Sequence, residues 1–434
     1  MVSARLRELL GLLPVGLLVT AGFTAVLISR ASHVSNLSLI YGAVFLGLCV
    51  FAHFFIRARL PHADPYLFPL AALLAAFGLV MIYRIDEDLA RQQAQWFVLG
   101  LVFFCATVIL LRDHRSLERY RYTIAAASIA LLFMPRLPLI GAQTGGAYLA
   151  IKLGPIQFQP AEFAKIGIII FLASYLAETR DVLVRGRVPR LSLKHFGPLL
   201  VVWGAAMLML VFIRDLGSSL MFFGGFLALL YVATSRLSLV AIGAGMFAAG
   251  AAFFASQVSH IHDRVEVWLD PFRPRFVDRA GYQIAQSLFA QADGGLFGTG
   301  FGRALLELPG GGTILPAANT DLIYALIVNE LGLFGGAAVV LIYLLFTARG
   351  FKVALLARDG FSKLLAAGLT AVFALQVFVI VGGVTRVIPL TGVTLPFVSY
   401  GGSSIVANLV LLALVLIVSN DARRDPAEAH GGLA

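Results

Sequence analysis

An aspartate at the end of a long polar interval is the first candidate for chemistry in this chain. Residues 257–320 are rich in glycine and in charges of both signs, and they lead directly to Asp321. The stretches on either side, 238–256 and 321–347, are apolar. A connector between two helices needs only a few residues. An interval of this length therefore indicates a functional surface. A carboxylate at its end, at the boundary of the apolar stretch, suits a catalytic or a binding role.

Ionisable residues inside otherwise apolar helices are the next candidates, because each costs at least about 2.5–3.5 kcal/mol at the centre of a bilayer. Glu162 and Lys165 follow Pro160, and at a spacing of three they share one helix face and can neutralise each other. Such a pair is as often an internal strut as part of a site. Asp215 stands before Gly217 at a break between apolar stretches, where it has either a functional role or a helix-capping one.

Glu330 lies in the apolar stretch that follows Asp321. At 100° per residue it falls on the opposite side of that helix from Asp321. We therefore expect Glu330 to support packing or a hydrogen bond between helices rather than to act on a substrate.

Two glycine-rich segments indicate breaks in the membrane helices. Residues 294–302 resemble a dinucleotide-binding loop only superficially, since no strand precedes them, and we expect sharp turns of a re-entrant segment packed against protein. Residues 396–404 contain Ser399, Tyr400 and Ser403, whose hydroxyls and neighbouring N–H groups suit an anion such as a diphosphate. A plain turn at a helix start is the alternative for this second segment.

The composition fixes the class of protein that must position these residues. Hydrophobic residues make up 59% of the chain and charged residues 13%, about half the roughly 25% of a soluble domain. We predict an all-α polytopic membrane protein with about twelve transmembrane helices, from apolar windows of suitable length. The windows are 13–29, 37–56, 65–83, 94–111, 122–138, 160–177, 195–213, 217–235, 238–256, 321–347, 362–385 and 400–419.

The distribution of lysine and arginine predicts the orientation. Outside the long interval, most of these residues fall in loops on the side of the N-terminus, so we place both termini in the cytoplasm and residues 257–320 outside. The net charge of +10 is accounted for by cytoplasmic loops that face anionic membrane lipids, and it requires no nucleic acid. Within the long loop, the pattern at 280–291 predicts a short surface helix.

Four motifs, in this order, resemble the SEDS family (shape, elongation, division and sporulation). They are Phe158 to Ile166, Asp215 to Ser219, the pair formed by Gly281 to Ser287 and Gly294 to Gly300, and a last set formed by Thr320 to Ala325, Asn329 to Gly332 and Leu395 to Ser403. The resemblance covers about residues 65–420. Where the family usually has Glu and His shortly before its key aspartate, this chain has Ala317 and Asn319.

The resemblance implies a domain organisation of ten core helices with two additional helices in front. On this basis, residues 1–60 form a short cytoplasmic tail and the two additional helices, 61–420 form the membrane core with the 257–320 loop, and 421–434 form a cytoplasmic tail.

The resemblance also implies a peptidoglycan glycosyltransferase that polymerises lipid II at the outer face of a bacterial cytoplasmic membrane, together with a class B penicillin-binding protein. Asp321 is then the catalytic residue or a ligand of Mg²⁺ or Mn²⁺, and no other cofactor is implied. Glu162, Lys165, Asp215 and Glu330 support the polar core. Candidates for binding the substrate or its diphosphate are Arg264, Arg279, Gln283, Gln286, Ser287, Arg303, Ser399, Tyr400 and Ser403.

Two other functions remain open at this stage. A lipid II flippase would also have many helices and buried charges, but it should place its polar groups near the midplane and show two matching halves. A non-catalytic scaffold of the cell-wall machinery would use the outer loop only for docking. Within the family, the short tails favour a role in cell elongation over one in division.

Overall fold

The computed structural model describes residues 4–424 apart from 31–35, 112, 138–140, 145–146, 154–155, 186–203, 205–215, 258 and 307–312. The helices in these parts are α1 (Ala4–Gly11), α2 (Leu13–Arg30), α3 (Asn36–Arg59), α4 (Leu67–Ile85), α5 (Glu87–Leu110), α6 (Ser116–Arg119), α7 (Arg121–Phe133), α8 (Pro160–Arg185), α9 (Leu216–Thr234), α10 (Leu237–Gln257), α11 (Ser259–Leu269), α12 (Tyr282–Gly294), α13 (Ile323–Leu356), α14 (Gly360–Val384) and α15 (Gly402–Arg423).

The helical membrane architecture predicted from composition is confirmed. Within the described residues, nine helical segments are long and apolar enough to cross a membrane, and α10 contributes a shorter apolar helix. The window predicted at 195–213 lies outside the described residues, apart from Gly204. The window at 122–138 was drawn too long, since α7 ends at Phe133 and a 3-10 turn over Met134–Arg136 follows. Met134 keeps helical dihedral angles, but Pro135 has no N–H to donate to the carbonyl of Leu131, so the α-helical hydrogen bonding is interrupted there.

A small antiparallel sheet lies between α7 and α8, and the sequence analysis did not predict it. Its strands are β1 (Gly141–Thr144), β2 (Ala147–Leu153) and β3 (Ile156–Phe158), in the order β1-β2-β3. The register pairs Gly141 with Ile151 and Ile151 with Phe158. This meander leads directly into Pro160, which begins α8 and suits the first position of a helix because it has no N–H to satisfy.

The centre of the core is α14, which packs against α8, α9 and α13. Helix α15 packs mainly against α5. Glycines allow close approach where helices and loops cross: a Cβ added at Gly78 would lie 2.6 Å from the carbonyl oxygen of Phe397. The polar side chains described below are therefore held between rigid, closely packed elements.

The first helices are anchored by a buried carboxylate. Glu8 is fully buried, with Arg5 bonded to one of its oxygens and His53 Nδ1 lying 3.1 Å from the other. Arg5 also donates to the carbonyl oxygens of Leu60 and Ala63, at 3.1 and 2.6 Å. Helix α2 packs on α4, where a Cβ at Gly22 would lie 2.7 Å from Val80. This N-terminal region is thus fixed to the core by packing and by a polar contact.

A second buried carboxylate joins the far ends of α13 and α15. Asp64 accepts hydrogen bonds from Arg349, with the Nε contact at 3.2 Å, and from Arg423. Its side chain is fully buried, and its own N–H donates to Ser419 Oγ at 3.0 Å. We call Asp64, Arg349 and Arg423 the Asp64 cluster. Helix α15 continues to Arg423, beyond the boundary at 420 drawn from the sequence.

Candidate functional site

Asp321 stands on a tight turn immediately before α13. Ala317 has a left-handed backbone (φ 52°), and its carbonyl oxygen accepts from the N–H groups of Thr320 and Leu322 at 3.0 and 3.1 Å. The turn is clamped to the segment before α15: Ser399 Oγ donates to the carbonyl of Thr320 at 2.7 Å. Nearby, Tyr400 N–H donates to the carbonyl of Asn319 at 2.8 Å. The position of the carboxylate is therefore set by its own turn and by one segment that is distant in the chain.

The surroundings of Asp321 leave its carboxylate under-stabilised. The residue is partly buried, and no described residue donates a hydrogen bond to the carboxylate. Burial raises the pKa of Asp321 to about 6, and the nearby positive charge of Arg264 opposes this rise. A carboxylate with such a pKa is mostly ionised at pH 7 yet is a stronger base than an ordinary aspartate, as general-base catalysis requires.

The loop between α14 and α15 forms one wall beside this carboxylate. A Cβ added at Gly392 would lie 3.7 Å from Asp321 Oδ2, and Gly392 has a left-handed φ of 76° that favours glycine. Arg264, on α11, reaches the same loop, with its NH1 3.5 Å from the carbonyl oxygen of Leu390. Asp321, Arg264 and Gly392 are thus brought together from three separate regions, and we call them the Asp321 site.

The start of α9 packs against the same loop. A Cβ added at Gly217 would lie 2.2 Å from Val393 and 3.0 Å from Thr391, so only glycine fits. Ser218 and Ser219, which follow it, are buried. Asp215 lies outside the described residues, and its role stays a prediction.

The predicted pair of Glu162 and Lys165 is present in the structure. Lys165 Nζ lies 2.5 Å from Glu162 Oε2 and donates to Gln376 Oε1 at 2.7 Å, and all three side chains are buried. Gln376 in turn donates to the carbonyl of Thr394 at 2.9 Å, two residues from Gly392. The pair therefore supports the loop that forms a wall of the Asp321 site. Gln376 was not predicted from the sequence, although a lone amide in an apolar membrane helix itself indicates a functional or structural polar contact.

Glu330 joins α13 to other elements. Its Oε1 accepts from Arg84 Nε at 2.9 Å, and its Oε2 accepts from the N–H of Gly302 at 3.0 Å. The side chain is fully buried. These are the contacts of a helix-joining residue, the kind expected from its place on the helix.

The glycine segment 294–302 fills a gap in the hydrogen bonding of α13. Gly332 interrupts that helix with φ 70° and ψ −175°. The N–H groups of Thr299 and Gly300 donate to the carbonyls of Asn329 and Glu330, at 2.9 and 3.1 Å, and Leu333 N–H donates to the carbonyl of Gly295 at 2.9 Å. A Cβ at Gly298 would lie 2.1 Å from the carbonyl oxygen of Glu330. The turns expected from the sequence are thus packed against protein, which satisfies the broken backbone.

The remaining predicted binding residues fall into two groups. Several have side chains used inside the fold: Ser287 Oγ donates to the carbonyl of Val384 at 3.0 Å, Ser403 Oγ accepts from Gln159 N–H at 2.9 Å, and Tyr400 OH donates to Gln92 Oε1 at 2.6 Å. Ser399 Oγ is likewise used, since it also accepts from Leu395 N–H at 2.9 Å. By contrast, Arg279, Gln283 and Arg303 are exposed and Gln286 is partly exposed.

The predicted helix over 280–291 is present as α12, Tyr282–Gly294. It packs against α13, and its buried side includes Ile284 and Ala285.

Gln93, which was not predicted from the sequence, holds the segment before α15 that is bonded to the Asp321 turn. It donates to the carbonyl of Ser399 at 3.0 Å and accepts from Gly401 N–H at 3.2 Å.

The donor set at Asp321 suits a divalent cation only when a substrate supplies further ligands. Within the parts of the chain that the structure describes, Asp321 belongs to no group of three or more metal-ligating side chains. One carboxylate plus the oxygens of a diphosphate is a known way to hold Mg²⁺. One described cluster does bring three such groups together: His114, Asp359 and Asp421. Its two carboxylates already pair with Arg115, at 3.1 and 3.0 Å.

Comparisons with known proteins agree with this architecture. A family model of cell cycle proteins named for FtsW, RodA and SpoVE matches residues 65–424. The chain is 42% identical over 400 residues to peptidoglycan glycosyltransferase RodA of Mycobacterium bovis, covering 88% of this chain and 84% of that protein.

Two solved structures resemble the fold. A structure concerned with polymerization and crosslinking by a peptidoglycan synthase complex aligns with a TM-score of 0.66 and 28% identity, covering 84% of this chain and 99% of that one. The rod shape determining protein RodA of Thermus thermophilus aligns with a TM-score of 0.59 and 26% identity, covering 84% and 98% of the two chains. With a family match over most of its length and a close curated relative, the chain belongs to the FtsW/RodA/SpoVE family of polytopic membrane proteins.

Proposed function

We propose that this protein is a peptidoglycan glycosyltransferase that polymerises lipid II into glycan strands, with Asp321 as the catalytic base. The single observation that carries the assignment of the residue is its environment: an under-stabilised carboxylate, with a pKa of about 6, beside Arg264 at the start of α13. The mycobacterial relative is named peptidoglycan glycosyltransferase RodA, which supports the same activity here.

The reaction needs two things from the protein. The 4-hydroxyl of the acceptor's N-acetylglucosamine attacks the anomeric carbon of the donor's N-acetylmuramic acid. A new C–O bond forms with inversion, the bond to the phosphate oxygen breaks, and polyprenyl diphosphate leaves. Asp321 takes the proton of the attacking hydroxyl. Positive charge must stabilise the leaving diphosphate, and Arg264, in the same site, is the candidate for this role.

The candidates for the rest of the substrate remain as predicted from the sequence. Arg279 and Gln283 have the exposure that contact with the sugars or the diphosphate requires. Asp321 and the substrate diphosphate would hold a divalent cation, which would neutralise charge on the leaving group. Glu162 and Lys165 hold the loop beside the site through Gln376 and Thr394.

The same proposal includes the setting of the reaction. We place both termini in the cytoplasm and the 257–320 loop outside, with residues 1–60 as an addition to the core of 61–420. A class B penicillin-binding protein is the proposed partner, because the most similar of the solved structures described above belongs to a synthase complex that polymerises and crosslinks. A role in elongation fits the similarity to RodA.

The test is a polymerisation assay with purified protein, its transpeptidase partner and lipid II, scored for glycan polymer on a gel. We expect polymer with the wild type and a loss of at least about a hundredfold with Asp321→Asn, because the amide keeps the size of the side chain but removes its basicity. The exposed Asp270→Asn serves as a matched control and should retain activity.

Two outcomes would point elsewhere. Strong polymerisation by a well-inserted Asp321→Asn protein would remove the residue from the chemistry and require another catalytic group. Movement of lipid II across vesicles by the wild type, with no polymer formed under any condition, would favour the flippase.

A further inference from the structure

A cavity of about 290 Å³ lies beside α12, apart from the residues of the Asp321 site. One part of its wall is apolar and includes Phe289, Leu305 and Leu315. Its polar lining includes Gln286, Asp293 and Arg303. This volume is just below the lower end of typical small-molecule sites, about 300 Å³, so it suits a short piece of a ligand rather than a whole disaccharide.

The charges on the wall are of opposite sign and are unpaired within the part of the chain that the structure describes. Asp293 and Arg303 are exposed, and neither forms an ion pair or a side-chain hydrogen bond with another described residue. The amide of Gln286 is also without a hydrogen-bond partner among the described residues. An arginine binds a carboxylate in a fork geometry, and a carboxylate binds an ammonium group. The wall therefore complements a ligand that carries both charges.

The polar floor of the cavity, by contrast, is fixed. Asn329 donates from Nδ2 to the carbonyl of Ala290 at 2.8 Å, and Thr299 Oγ1 donates to the carbonyl of Asn329 at 3.1 Å. The first bond joins α13 to α12, and the second comes from the glycine segment that fills the break in α13. A rigid floor with free charged groups above it is the arrangement of a pre-formed site.

The cavity is connected to the Asp321 site through the chain. Leu315 lines the cavity and lies two residues before Ala317, which begins the turn carrying Asp321. Asn329 lies on α13, six residues after the start of the helix at Ile323, which is a rise of about 9 Å. A substrate with its sugars at Asp321 therefore has a charged pocket within reach of its other groups.

We propose that this cavity binds the peptide carried by the lipid-linked disaccharide, with a carboxylate of the peptide at Arg303, an ammonium group at Asp293 and a peptide bond at Gln286. This inference rests on the proposed function for the identity of the substrate. It assigns recognition of the peptide to a site separate from the one that transfers the sugar.

The kinetic test compares two substrates with the same lipid and sugars, one with its peptide and one without. For Arg303→Gln and for Asp293→Asn we expect the KM of the peptide-bearing substrate to rise about tenfold, the effect of losing one charged contact. The KM of the peptide-free substrate and both kcat values should not change. Arg273→Gln, an exposed arginine of the same loop outside the cavity, is the matched control and should behave as wild type.

A binding experiment tests the cavity without catalysis. Calorimetry of the detergent-purified protein with the free peptide, detached from its sugars, should show binding to the wild type and weaker binding to both variants. A copy of the peptide with its charged groups blocked by acetylation and amidation should not bind. This readout separates the two proposals, because it does not depend on whether the protein makes polymer.

Three results would overturn the inference: equal changes of KM with both substrates, no change with either, or no binding of the free peptide to a protein that polymerises lipid II. Binding only of a segment of the transpeptidase partner, in place of the peptide, would make the cavity a docking site and would also reject it. A thermal melt of each variant ensures that the comparison is made between folded proteins.

Discussion

Asp64, which is buried, and Asp321, which is partly buried, contrast a carboxylate that joins helices with the one that we propose as the catalytic base. Burial raises the pKa of Asp64, but the hydrogen bonds from Arg349 and from Tyr66 N–H, with the charges of Arg423 and Arg349, outweigh it and leave the pKa below its ordinary value. At Asp321 burial dominates, and Arg264 opposes it only in part. The number of donors around the carboxylate, rather than its burial, separates the two cases.

The two carboxylates also stand at opposite ends of the same helices. Asp64 contacts Arg349 on α13 and Arg423 on α15, near the ends of both. Asp321 precedes α13, and its turn is bonded to the segment that leads into α15. A fully paired carboxylate ties the helices together at one end, and an under-stabilised one stands at the other, where we propose that it meets substrate.

The sharpest test of this contrast measures stability and activity together. We expect Asp321→Asn to lose polymerisation at least about a hundredfold while its melting temperature stays the same or rises, since the amide removes a charge that burial disfavours. A large fall in melting temperature would show that Asp321 is structural after all, and the comparison with Asp64 would fail.

The reverse pattern is expected at the Asp64 cluster. Asp64→Asn leaves two guanidinium groups without their buried partner, which costs about 3–5 kcal/mol of folding free energy. A lower yield of inserted protein and a lower melting temperature would register this loss. Asp270→Asn is again the matched control, because its partner Arg273 is about half exposed and surface pairs contribute about 0–1 kcal/mol. Equal stability of the two variants would contradict the structural role of Asp64.

A smaller effect is expected from the coupling of Glu162 and Lys165. Removing one partner strands a charge in a buried place, whereas removing both does not. The test is a double-mutant cycle with Glu162→Gln and Lys165→Met, in which melting temperature and activity are measured. We expect the sum of the two single losses of free energy to exceed the loss in the double variant by about 0.5–3 kcal/mol. Additive losses would show that the two side chains act independently.

The smallest effect is a shift in the pH profile. Because the pKa of Asp321 is raised to about 6, the ionised base is lost as the pH falls through this value, and polymerisation should decline on the acid side. Arg264→Gln removes the charge that favours the ionised form, so the acid limb should move to higher pH. An acid limb near pH 4, or one unaffected by Arg264→Gln, would contradict the environment described for this carboxylate.

Much of the architecture could be predicted from the sequence because membrane helices are long apolar windows with few alternatives. The sheet over 141–158 was missed, since strands of four, seven and three residues give too short an alternation to recognise. Pro135 signalled the end of α7, but the apolar window hid it. In both cases the prediction followed the apolar composition of the window and overlooked a short local signal.

The site was predictable only where a residue is unusual in its own surroundings. Asp321 stood out because it ends a long polar interval, and Glu162 and Lys165 stood out as charges among apolar residues. Gly392 did not stand out, because its importance comes from its contact with Asp321, which is distant in the chain. The serines were ambiguous for a related reason: Ser399 and Ser403 have hydroxyls that could serve a ligand, and only the folded structure shows that they serve the backbone.

The break at Gly332 has a mechanical consequence for the placement of the carboxylate. The residues from Ile323 to Leu331 form a short rod, joined to the long part of α13 by a single left-handed residue. Hydrogen bonds to the glycine segment, and the one that Glu330 accepts from Gly302 N–H, hold this rod against the 257–320 loop. We expect a tilt of the long helix, imposed by changes in bilayer thickness, to be taken up near Gly332 rather than transmitted as a lever to Asp321. The carboxylate would then keep its alignment while the membrane around it deforms.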